Sequence, residues 1–105
     1  MSILTKVFDP KHPNEIVPIS FDFGALPGAI IASASSPLLV ASRHEGAADA
    51  DPAAMLVGAP QIIGDQVRQK IRGGVADATY LFRCEVDTDD GLRWVLNGTL
   101  DVRNL

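Results

Sequence analysis

Cysteine is nearly absent. Cys84 stands alone in 105 residues, so neither an internal disulfide framework nor a thiolate cage for zinc can be built from it. Aromatic rings are scarce as well: four Phe, one Tyr and one Trp. Positive charge is in deficit, with nine Lys and Arg against thirteen Asp and Glu, a formal charge of −4. That balance argues against nucleic acid as the main partner, because phosphate binding calls for a basic face. No apolar run approaches the roughly 18–20 residues of a membrane span, and no signal-peptide core is seen. The expectation is a chain without membrane contact, made or assembled in a reducing compartment. Charged residues are only 21% and hydrophobic residues 47%, which excludes disorder by composition. The length allows a single domain with one real core.

Nine Gly and seven Pro punctuate the chain, and the segments between them are short and of period two, which predicts strands. Residues 1–15 read as an extended arm. Ile3, Leu4, Val7 and Phe8 are apolar there, while Asp9-Pro10 and His12-Pro13 block a helix. A sandwich domain over residues 16–105 follows. Its first strand, 16–23, alternates Val17, Ile19, Phe21 and Phe23 with Pro18, Ser20 and Asp22. Pro18 cannot donate to a ladder, which places that strand at a sheet edge. Further strands are expected at 29–36, 38–43 and 55–57, with a loop over 45–52. Residues 61–72 are ambiguous. Ile63, Val67 and Ile71 keep helical spacing, whereas Val67, Gln69 and Ile71 alternate with Arg68 and Lys70; a strand over 66–72 is preferred.

The strongest strand is 79–86, with Tyr80, Phe82, Cys84 and Val86 on one face and Leu81, Arg83 and Glu85 on the other. A hairpin loop over 87–91 leads into a last strand, 92–103. Trp94, Leu96, Leu100 and Val102 share a face there, and Asn97-Gly98 is read as a bulge. Seven short strands predict an all-β fold, an Ig-like antiparallel β-sandwich. Tyr80, just after a turn, resembles a tyrosine corner, whose phenol bonds back to the backbone near the turn. Its spacing to Cys84 is four residues instead of the usual two.

Sites for chemistry are weak. Cys84 with His12 or His44 could be drawn as nucleophile and base, but its alternation with Phe82 and Val86 makes it a buried small hydrophobe. Asp87, Asp89 and Asp90 before Gly91 lack calcium-loop spacing and read as a solvated hairpin tip. Asn97-Gly98-Thr99 fits a glycosylation pattern but reads as a turn or bulge. Arg68, Lys70 and Arg72 form a basic alternation, taken as salt-bridging or as an interface stripe. No phosphate-cradling glycines, paired acids or metal-ligand spacing occur, so the expectation is no enzyme, no cofactor and no small-molecule substrate.

Three segments carry a resemblance. They are Lys11-His12-Pro13-Asn14-Glu15, Phe21-Asp22-Phe23, and Gly28-Ala29-Ile30-Ile31-Ala32-Ser33. Toward the other end stand Gly73-Gly74, Tyr80, the hairpin from Thr88 to Gly91, and the alternating last strand. With these the chain resembles the small fiber-tail adaptor proteins of tailed phages and prophages, over roughly residues 9–36 and 73–103; residues 38–72 do not match. Phe23 stands where that family usually has Trp, and Ile19 or Pro18 where it has Tyr.

The resemblance implies a virion structural protein of the tail or neck, assembled in the bacterial cytoplasm. It implies contacts with other phage structural proteins, often in a homo-oligomeric ring, and no catalytic residues. The interface candidates are Ile3, Leu4, Val7, Phe8, Arg68, Lys70 and Arg72. The arm is expected to dock on a neighbouring subunit as an added strand, leaving a folded monomer when residues 1–10 are removed. The competing expectation is a stand-alone Ig-like recognition module. It would bind protein or carbohydrate through the end loops at 45–54 and 87–91.

Overall fold

A computed structural model describes residues 5–25, 37–89 and 91–104. Seven strands are found there: β1 (Thr5–Val7), β2 (Ile16–Asp22), β3 (Leu38–Gly46), β4 (Leu56–Ile63), β5 (Gln66–Arg72), β6 (Ala78–Asp87) and β7 (Arg93–Val102). They form two sheets, ordered β1-β7-β6-β3 and β2-β5-β4. The protein is an all-β sandwich. The strand expected at 29–36 lies outside the described residues.

Alternation sets which faces meet. Ile19 and Phe21 of β2, Val67 and Ile71 of β5, Tyr80, Phe82, Cys84 and Val86 of β6, and Leu96, Leu100 and Val102 of β7 all point inward and are buried. Phe23 and Met55, in single 3-10 turns flanking β2 and β4, close the core. Pro18 is tolerated because β2, among the described residues, is an edge strand paired on one side only, with β5.

The ambiguous stretch resolves into a hairpin. β4 runs to Ile63, Gly64 takes a φ of +60°, and Gln66 pairs with Ile63. A two-residue Gly-Asp turn with glycine first suits the twist of the flanking strands. β4 is therefore much longer than the expected 55–57. It absorbs Pro60, which has no donor, in an irregularity: between the Val57–Lys70 and Gln61–Arg68 pairs, three residues of β4 face Gln69 alone. β3 is also longer than expected, running past Arg43 to Gly46 through a register shift between Arg43 and Glu45.

Two expectations are corrected. The chain does not bulge at Asn97-Gly98: β7 pairs with β6 in unbroken register from Arg93 to Val102. The N-terminal residues are not a free arm on an otherwise antiparallel sandwich. β1 joins the larger sheet in parallel with β7, Thr5 opposite Asn97 and Val7 opposite Thr99. Phe8 then turns into the core, 8% exposed, edge-on to Phe21 with 5.5 Å between ring centroids. Gly98 is glycine because of Phe8: a Cβ there would fall 2.6 Å from Cζ of the Phe8 ring.

Candidate interaction surface

Cys84 occupies the core and is fully buried. Burial, with Glu85 adding its charge, pushes its thiol up to about 12. A thiol this basic is neither nucleophile nor ligand at neutral pH. Below the unfolded value of about 8.5 both states keep the proton and stability does not depend on it. Above that value the unfolded thiol ionises while the folded one cannot, so this group removes stability as pH rises toward 12. In native protein, Ellman's reagent should label Cys84 only at the rate of global opening. Labelling should become immediate in denaturant, and fast labelling of native protein would contradict the burial.

The acidic hairpin tip holds itself. Thr88 N–H and Oγ1 donate to the Leu92 carbonyl, and Gly91 N–H donates to that of Thr88. Asp87 receives Arg93 Nε at 2.8 Å. Asp90 lies outside the described residues. No group of three or more His, Cys, Asp or Glu able to hold a metal is found among the described residues.

The other candidate end loop is tied down by the tyrosine corner. Tyr80 Oη accepts Val75 N–H at 2.8 Å and donates to Asp49 Oδ2 at 2.6 Å. The phenol does bond back to the turn, as its position after Gly73-Gly74 predicts. The Asp49 contact was not legible in sequence. It fixes the 47–51 loop at the start of β6, whereas the hairpin tip follows the end of β6. The two loops sit at opposite ends of a ten-residue strand and form no common site.

Lys11 is the residue that sequence reasoning missed. A lysine in an extended arm reads as solvated, yet Lys11 is 1% exposed. Its Nζ donates to the carbonyls of Gly73 at 2.7 Å and His12 at 2.9 Å. Its backbone bridges to the end of β7, with Lys11 N–H on the Asp101 carbonyl and Arg103 N–H on the Lys11 carbonyl. Burial lowers its pKa, and Glu15 opposes the shift. Pro13 sits second in a turn closed by Glu15 N–H on the His12 carbonyl, and Glu15 Oε1 returns to His12 N–H at 2.7 Å. This local turn aims Lys11 under the β5–β6 connection, where it clasps Gly73.

The basic stripe lies on the outer face of the smaller sheet. Arg68, Lys70 and Arg72 alternate on β5, its central strand, and all three are exposed. The neighbours are Ser20 and Gln61 beside Arg68, Pro18 and Val57 beside Lys70, and Ile16 beside Arg72. None of these is an acid, and the first carboxylate on β2 is Asp22, opposite Gln66. Of the two alternatives for this stripe, salt-bridging is not found among the described residues. Arg83, Arg93 and Arg103 each pair with a carboxylate. Arg43 reaches the Gly46 carbonyl, Lys6 reaches the Ser20 carbonyl and the Phe8 ring, and Lys11 is buried on two carbonyls. Of the nine cations, only the three on β5 lack an ion pair, side-chain hydrogen bond or ring contact among the described residues.

No family model, no curated protein and no solved structure matches this chain.

Gln69 supports the stripe from beneath. It points inward between Arg68 and Lys70 and is 1% exposed. Its Nε2 donates to the carbonyls of Lys70, Val57 and Gly58 at 2.9, 3.1 and 3.3 Å. The last two carbonyls lie at the β4 irregularity, which the amide ties to β5. The reverse amide orientation would set an oxygen against three oxygens. The arrangement leaves Gln69 Oε1 buried and unpaired among the described residues.

The remaining interface candidates separate. Val7 is 77% exposed on β1, at the edge of the larger sheet among the described residues, whereas Phe8 is buried in the core. Ile3 and Leu4 lie outside the described residues.

Proposed function

We propose that this chain is a structural protein of a tailed-phage or prophage virion, an adaptor of the tail or neck that works through protein–protein interfaces. One observation supports an interface role above others: Arg68, Lys70 and Arg72 are exposed on a sheet face and have no ion pair or side-chain hydrogen bond among the described residues. Charges kept in this state contribute nothing to the fold and are free for complementarity with another surface. The resemblance over residues 9–36 and 73–103 supplies the virion context. The exposed outer edge of β1, with Val7, offers a second contact area of the strand-pairing kind.

The test is compositional. Particles from an induced lysate, purified by density gradient, should contain the chain at fixed stoichiometry by mass spectrometry. Deleting its gene should yield particles lacking part of the tail or neck in electron micrographs. Complete, infective particles without the chain would overturn the proposal.

A further inference from the structure

We infer that the outer face of the β2-β5-β4 sheet receives an extended, acidic polypeptide segment of a partner protein, with carboxylates on alternate residues. This rests on the interface reading above and specifies the chemistry of what binds there.

The argument begins with period. Arg68, Lys70 and Arg72 project from one face of one strand, so their stems repeat every two residues, about 6.8 Å. A partner in the same extended conformation repeats its alternate side chains at the same interval. Three carboxylates can therefore stand over three cations without either backbone bending. The flanking columns fit this: Ser20 and Gln61, then Pro18 and Val57, are neutral, so no carboxylate stands cross-strand from Arg68 or Lys70. The irregularity in β4 adds a shape. Where Gly58, Ala59 and Pro60 leave the ladder, a groove of about 380 Å³ opens beside Arg68 and Lys70, floored by Pro18 and Val57. A neutral side chain between two carboxylates of the partner has a place to enter. Gln69 keeps that opening in shape through its bonds to Val57 and Gly58.

A polypeptide is favoured over single-stranded nucleic acid. Such strands are held by aromatic platforms together with charge, and the residues that β2, β4 and β5 place on this face include no aromatic side chain. The net charge of −4 also repels a long polyanion at distances beyond the stripe, while a short acidic segment meets only the local field.

Fluorescence anisotropy at low ionic strength, with the full chain and three labelled probes, tests the inference. The probes are a short peptide alternating Glu with Thr and Val, a peptide of the same composition with its glutamates adjacent, and an oligothymidine. The alternating peptide should bind at least about fivefold tighter than the blocked one. Its affinity should fall with added salt, and should drop about tenfold or more in the R68E/K70E/R72E variant. The milder R68Q/K70Q/R72Q variant, checked by circular dichroism, serves if charge reversal disturbs folding. Equal binding of the two peptides, undiminished binding in either triple variant, or tighter binding of oligothymidine would each overturn the inference. Failure of the virion reading looks different: peptide binding would persist while the chain is missing from purified particles.

Discussion

Replacing Phe8 with alanine should lower the unfolding free energy by about 3–5 kcal/mol, the usual cost of removing a buried phenylalanine. The ring is held edge-on by Phe21 and lies over Gly98 of β7. Its loss opens a cavity between the N-terminal strand and the core. The pairing partner across that contact makes the prediction specific. Gly98→Ala in the wild-type chain drives a methyl group into the ring and should also destabilise. In the Phe8→Ala background the same methyl enters the space just vacated and should cost little or add stability. The double-mutant cycle should therefore give a coupling of at least about 1 kcal/mol. Urea unfolding followed by circular dichroism measures all four corners. Additive effects would show that Phe8 does not sit on Gly98. Removing residues 1–10 should likewise unfold or severely weaken the protein, because it deletes β1 together with Phe8. A truncated chain with wild-type stability would reinstate the detachable arm.

Tyr80→Phe should cost about 1.5–3 kcal/mol, the range for a hydrogen bond to a charged group. The substitution keeps the ring in the core and removes both the acceptor for Val75 N–H and the donor to Asp49. Dependence on pH identifies the bond. The Tyr80 hydroxyl, followed by the N–H of Asp51, holds the Asp49 carboxyl below the usual carboxylate range. A carboxyl lowered in the folded state stabilises at pH above its unfolded value near 3.9, and that contribution is lost as pH falls through the folded value. At the other end, burial and the Asp49 carboxylate raise the phenol. The unfolded tyrosine near pH 10 ionises first, and stability is lost as pH rises further. The difference between wild type and Tyr80→Phe should therefore be largest between these limits and should shrink on the acid side. A constant difference down to pH 2 would assign the loss to packing alone.

Much of the sandwich was legible because its strands bury one face. The alternation through Phe82, Cys84 and Val86 is unambiguous: a shift of one residue would put Arg83 and Glu85 into the core. Residues 66–72 were placed correctly for the same reason, and Gly64-Asp65 carried a turn signal that the helical spacing of Ile63, Val67 and Ile71 obscured. The N-terminal strand was not legible. β1 has three residues and no alternation of its own, and its stability comes from β7 and from Phe8, both remote in sequence. Gly98 misled for a related reason: the glycine records a ring arriving from ninety residues away, not a local deviation of the backbone. In the candidate surface, the three cations could be found by spacing. The neutral residues beside them could not, because these depend on which strands become neighbours. Lys11 gave no signal, since nothing local distinguishes a lysine that will be covered from one that will not.

The parallel pairing of β1 with β7 also bears on how this chain is made. Thr5–Val7 are translated about ninety residues before their partner positions, Asn97 to Thr99. Until β7 has been made, Phe8 has no pocket, because the strand that forms its floor does not yet exist. The sandwich cannot be completed until β7 has been made, and closure of a very long loop is then its slow step. A nascent chain stalled before β7 would display Phe8 and Val7 to any holdase nearby.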